Sequence, residues 1–155
     1  REGAMIEIIQ LKSIRMLGSL TDEMLEKIQP VTTLVDFQAG EYIFREGEYA
    51  EYLYSILEGE VGLETEKNPS KRILVTKISR CMTLGFSALL DTEYRKYVGF
   101  AKAVTDVKLF AWKGVDLEKL FVKDYEMGFL IMRRIANTIQ KRLQITKTQL
   151  VDIYQ

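Results

Sequence analysis

Gly40-Glu41-Tyr42-Ile43-Phe44-Arg45-Glu46-Gly47, followed after five residues by Leu53-Tyr54-Ser55-Ile56-Leu57-Glu58-Gly59-Glu60-Val61, decides how this chain is read. Gly40, Gly47 and Gly59 each stand where an apolar run stops and restarts. Glycine adopts positive φ without steric cost, so this placement predicts tight turns between short strands of a rolled sheet. Outward from the stretch, alternation and β-branched residues continue through 31–37, 42–44, 52–56, 61–63, 73–78, 99–104 and 107–112, each predicted as a strand. The polar segment 64–71 is expected to be an exposed hairpin tip rather than a domain linker.

Helices are predicted on both sides. In residues 6–30, Ile8, Ile9 and Leu11 form one apolar patch; Thr21 is placed as an N-cap with Asp22 and Glu23 in the first turn, Met24, Leu25 and Ile28 share a face, and Pro30 closes the segment. Residues 115–154 carry Phe129, Met132, Ala136, Ile139, Leu143, Thr146, Leu150 and Ile153 at 3-4 spacing, a narrow seam that asks for a second helix. Homodimerisation through that helix is therefore expected, with Ile131 and Ile135 packing on the roll from a separate face. Beyond residue 139 the helix is expected to run past the end of the roll. The fold class read from these patterns is α+β: an antiparallel, jelly-roll-like β-roll (31–112) flanked by N-terminal helices (6–30) and a long C-terminal helical part (115–154). One domain spans 5–155, and Arg-Glu-Gly-Ala at 1–4 reads as an expression scar.

Composition narrows the function classes. At 155 residues a single domain buries roughly 68–70% of its unfolded surface, enough for a core without staples. Lys plus Arg number 22 against 22 Asp plus Glu, so no bulk field recruits nucleic acid or an anionic membrane. Cys81 stands alone and suits a reducing compartment, and no apolar run approaches the ~20 residues of a membrane span; a soluble, cytoplasmic protein is expected. The chain contains no histidine, which removes Ser-His-Asp and Cys-His catalysis and the imidazole metal sites of enzymes on comparable barrels. Glu46, Glu48, Glu51, Glu58 and Glu60 fall at turns or on alternate strand positions where solvated charge is ordinary. Neither catalysis nor a metal or cofactor is expected.

Residues 40–61 match the pattern G-E-x-I-F-x-E-G-x-x-A-x-x-L-Y-x-I-x-x-G-x-V, and on these residues the chain resembles the cyclic nucleotide-binding domain family of the catabolite activator and protein kinase A regulatory subunit type. The resemblance implies a regulatory β-roll and, in its second half, a phosphate-binding cassette: a short helix opened by F-G-E-x-A-L, then an arginine and a small residue before the next strand. A helix start there offers N–H groups to the cyclic phosphate, the arginine pairs with it bidentately, and the glutamate accepts from the ribose hydroxyl. The matching run here is Leu84-Gly85-Phe86-Ser87-Ala88-Leu89-Leu90, and Ala101-Lys-Ala-Val-Thr-Asp106 resembles the family's V-x-A-x-T-D.

The frame is kept and its readers are not. Phe86 stands where the resemblance implies the glutamate, and counting back from Thr105-Asp106 puts Tyr97 where it implies the arginine; counting forward from Gly85 puts Arg95 there instead. Candidate ligand-binding residues are therefore Gly85, Phe86, Ser87, Ala88, Leu89, Arg95, Lys96 and Tyr97, with a small anion expected at the open amides of 86–88. Candidate dimer contacts are Phe129, Met132, Ala136, Ile139, Leu143 and Leu150. Three readings stay open: a sensor for a small molecule other than a cyclic nucleotide; a ligand-free scaffold for dimerisation or protein contact, its pocket filled by Phe86 and Tyr97; or cyclic nucleotide binding through Arg95 or Lys96. The transcription regulators of this type continue into a helix-turn-helix, and with no recognition helix in 1–155 no direct DNA contact is expected.

Overall fold

The computed structural model describes residues 6–154; the segment 1–4, read as an expression scar, lies outside them. The N-terminal segment folds as α1 (Ile8–Lys12), a 3-10 turn at Arg15–Leu17 and α2 (Asp22–Ile28). Thr21 caps α2 as its sequence predicts, its hydroxyl accepting from the Met24 amide at 3.2 Å. Leu11, Leu25 and Ile28 are fully buried against the roll. Pro30 sits inside a further 3-10 turn, Gln29–Val31, that hands the chain to the first strand.

Among the described residues eight strands follow: β1 (Thr33–Phe37), β2 (Tyr42–Phe44), β3 (Tyr52–Glu58), β4 (Val61–Asn68), β5 (Lys71–Ile78), β6 (Thr83–Leu84), β7 (Phe100–Ala103) and β8 (Val107–Lys113). They form two four-stranded antiparallel sheets, ordered β1-β8-β3-β6 and β2-β7-β4-β5. This is the expected β-roll. Gly40, Gly47 and Gly59 all have positive φ; at Gly59 a Cβ would lie 2.4 Å from the Asp106 carbonyl oxygen, so no other residue closes that turn without displacing it. Two strand expectations are corrected. β4 and β5 pair through Asn68 and Lys71, so the polar run 64–71 is mostly ladder and only Pro69 and Ser70 make the tip. β6 went unread because two residues carry no alternation to recognise.

Leu53, Ile56, Leu84, Leu109, Phe110 and Trp112 of the first sheet are all essentially inaccessible; Ile56, Leu84 and Leu109 share one of its faces, and Leu53, Phe110 and Trp112 the other. The buried polar side chains of Trp112, Thr32, Ser55 and Thr83 are paired, as an interior of low dielectric favours: the Trp112 indole N–H donates to the Thr32 hydroxyl at 2.6 Å, which donates on to the Ile28 carbonyl at 2.8 Å. Ser55 and Thr83 share a hydrogen bond of 2.7 Å across β3 and β6.

The C-terminal part is two helices, α3 (Gly114–Lys123) and α4 (Tyr125–Ile153). Asp124 separates them and caps α4, its carboxylate accepting from the Met127 amide at 3.0 Å. Met127, Ile131 and Ile135 are buried on the roll. The expectation that α4 leaves the roll after residue 139 is wrong: Arg142 donates to the Thr83 carbonyl, and Gln149 Nε2 donates to the Val75 carbonyl at 2.9 Å. The stripe Met127-Ile131-Ile135 continues through Ile139, Arg142 and Thr146 to Gln149 at three- and four-residue steps, which keeps one face of the helix on the sheet. On the flank, Phe129, Leu143, Leu150 and Ile153 remain 54–76% exposed.

Candidate functional site

β6 ends at Gly85, which takes φ +85 in the left-handed region. A Cβ there would meet the Tyr52 carbonyl at 3.0 Å and the Tyr97 ring at 3.4 Å, so glycine is needed on both grounds. The turn that follows, Phe86–Leu89, is 3-10 rather than α-helical. Its tighter ladder uses the Ala88 amide, which donates to the Gly85 carbonyl at 3.1 Å; the expected trio of open amides at 86–88 is thus already broken. Ala88 and Leu89 are buried, facing the core and α3 rather than a pocket.

Tyr97 is 6% exposed and stacks on Phe44 with ring centroids 3.8 Å apart and planes 9° off parallel. Its hydroxyl donates to the Tyr52 carbonyl at 2.7 Å and accepts from the Tyr52 amide at 3.2 Å. Burial pushes that hydroxyl well above the usual tyrosine range. The position where the resemblance implies an arginine is therefore a structural pillar tying the 97–99 approach to β3. Arg95 and Lys96 do not substitute for it. Arg95, with φ +43 after Tyr94 at +66, pairs with Glu118 on α3 at 3.0 Å, and the Lys96 ammonium lies 5.6 Å from the Tyr94 ring. Neither side chain lines the cavity described next.

That cavity encloses about 540 Å³ between the β4–β5 ribbon, the Gly85 turn and α4. Leu63, Val75, Phe100, Ile139 and Ile145 supply apolar wall; Gly85, Phe86, Ser87 and Tyr97 supply the side read from sequence. Phe86 and Tyr97 border the space without filling it. Glu64 also reaches the wall, its carboxylate accepting from the Tyr42 hydroxyl at 3.1 Å.

Arg142 is the residue sequence reading missed. It descends from α4, donates through Nη2 to the Thr83 carbonyl, and holds its guanidinium 5.0 Å over the Phe86 ring. Its Nε is buried with no hydrogen-bond partner. Burial pulls the guanidinium pKa down to about 10, since low dielectric disfavours the charged form. The stripe begun by Met127, Ile131 and Ile135 could have found it, because position 142 falls on the same face; read as one of several scattered basic residues, it looked solvated. The site thus offers apolar and aromatic walls and one desolvated cation whose Nε is buried behind them. Among the described residues no cluster of His, Cys, Asp and Glu could hold a metal ion, and no helix is long and apolar enough to cross a membrane.

The family model for the cyclic nucleotide-binding domain matches residues 34–124. A structure from Geobacter metallireducens, assigned as a cyclic nucleotide-binding protein, superposes with TM-score 0.77 at 28% identity, covering 90% of this chain and 99% of that one. The N-terminal domain of a transcriptional regulator from Streptomyces coelicolor gives 0.68 at 22% identity, covering 88% and 94%. The regulatory subunit of a cAMP-independent protein kinase A from Trypanosoma brucei gives 0.76 at 22%, covering 92% of this chain and 50% of that one. The last two show likeness of fold.

Proposed function

The chain belongs to the cyclic nucleotide-binding domain family, and from that premise we propose that it is a non-catalytic regulatory sensor whose cavity takes a small organic anion other than cyclic AMP or cyclic GMP. One observation carries the reading: a buried, unpartnered Arg142 Nε in the wall of a largely apolar cavity of about 540 Å³. An unsatisfied buried donor costs about 1–3 kcal/mol, and a ligand carboxylate or phosphate that draws the guanidinium toward the cavity supplies the missing acceptor. An aromatic or alicyclic body would lie against Phe86 and Phe100.

Cyclic nucleotides fit the same residues badly. Phe86 gives the ribose hydroxyl no acceptor, the Tyr97 hydroxyl is committed to Tyr52 in both directions, and Arg95 is engaged by Glu118. Isothermal titration of the protein with cyclic AMP and cyclic GMP should show no binding tighter than about 100 μM. Low-micromolar heat from either nucleotide would overturn this assignment.

The exposed flank of α4 supports homodimerisation as the output geometry. Phe129, Leu143 and Leu150 keep more than half their surface in water, which a second copy of the helix would cover. Ile139 and Thr146, placed in the same seam by spacing, line the roll cavity instead, and Met132 packs partly on the core. The dimer contact therefore rests on the remaining positions, Ala136 included.

A further inference from the structure

A second cavity, of about 230 Å³, lies on the other side of Arg142, between the Arg15–Leu17 turn, Met82 and Thr83 at the start of β6, and α4. Arg15, Arg134, Lys141 and Arg142 line it, and no carboxylate does. Among the described residues none of these four is in an ion pair. The convergence is built by local structure. Positions 134, 138, 141 and 145 share one face of an α-helix, which brings Arg134 and Lys141 to the cleft from α4. Arg15 arrives from the opposite side because its backbone amide donates to the Cys81 carbonyl at 3.1 Å. Arg134 is held in place, its Nε and Nη2 donating to the Ser19 hydroxyl at 3.0 and 2.9 Å.

Four like charges gathered without a counter-charge repel one another and raise the local potential for anions. Guanidinium forks match phosphate oxygens bidentately, and the Lys141 ammonium adds a mobile point charge. We propose that this cleft is an anion-binding site for a phosphate group, free or as a small monoester, separate from the roll cavity and sharing Arg142 with it. Its size admits a phosphate with a short stem. Occupancy would give Arg142 a partner outside the roll cavity, so the two sites would compete for one guanidinium.

The test follows arginine Nε–H resonances by NMR while inorganic phosphate replaces chloride at constant ionic strength. The Arg142 and Arg134 signals should shift saturably, and the double variant Arg15→Gln/Lys141→Gln should weaken the response roughly tenfold, about threefold for each exposed charge, with a melting temperature no lower than wild type because both side chains are exposed and their mutual repulsion is relieved. A linear, non-saturating shift would overturn the proposal as non-specific screening. So would saturable binding that survives the double variant, because the phosphate would then sit in the roll cavity.

Discussion

Replacing Arg142 by Met separates a residue kept for a ligand from one kept for stability. Burial lowers its pKa from 12.5 to about 10, which at ~1.4 kcal/mol for each tenfold change is about 3 kcal/mol of charge desolvation carried at neutral pH. Against this stand one charge-assisted hydrogen bond to the Thr83 carbonyl, worth about 1.5–3 kcal/mol, and the guanidinium over Phe86, worth about 0.5–1 kcal/mol. Met keeps the apolar stem and a sulfur contact with the ring. The opposing contributions nearly cancel, so Arg142→Met should leave stability unchanged or raise it by up to about 1 kcal/mol, a melting shift of roughly 0–4 °C. Differential scanning calorimetry on ligand-free protein decides it. A loss above about 2 kcal/mol, or more than roughly 4 °C, would make Arg142 a structural clamp and remove the argument that its unpaired Nε awaits a ligand.

Three further outcomes follow from the same geometry. Leu143→Glu places a charge on the exposed flank of α4 and should shift the protein to monomer at micromolar concentration with the roll intact; a wild type that already sediments as a monomer would refute the dimer contact. Gly114→Ala should cost about 3 kcal/mol, since the new Cβ would lie 1.9 Å from the Ala88 carbonyl oxygen and neither α3 nor the Gly85 turn can yield cheaply; a urea midpoint equal to wild type would contradict that packing. Burial raises the Tyr54 hydroxyl to about 12 and the Tyr97 hydroxyl in the same direction, so their contribution is whole below the unfolded value near 10 and is lost as pH rises through the folded values. Because the depressed Arg142 acts with opposite sign in that window, the measurement belongs in Arg142→Met: its unfolding free energy should fall between pH 10 and 12 and fall less in an added Tyr54→Phe, whereas a flat profile would show these hydroxyls to be solvated.

The roll was legible because its signals are local. Three glycines at turns, alternating strands between them and an N-cap at Thr21 each depend on a few neighbouring residues, and each reappears in the structure. What the sequence hid was non-local. The Asn68 and Lys71 pairing extends a ladder through charged residues that no hydrophobic alternation marks, because both faces of that ribbon are wet. The turn after Gly85 tightens to 3-10, which changes which amides are open, and spacing of residue types does not record that choice. Arg95 was a reasonable cation for the cassette by count, yet Glu118, 23 positions on in sequence, captures it from α3. Arg142 looked like surface charge because helical periodicity was read for the dimer seam, while the separate face read at Ile131 and Ile135 was not followed further along the helix.

Native mass spectrometry of freshly purified wild type beside Arg142→Met tests the central claim most directly, that the cavity holds a small organic anion paired with Arg142. The account predicts a fraction of wild-type protein carrying a discrete adduct whose mass is neither cyclic AMP nor cyclic GMP, with occupancy reduced about tenfold in the variant for the loss of one charged hydrogen bond. An adduct of cyclic nucleotide mass, or equal retention by both proteins, would contradict it.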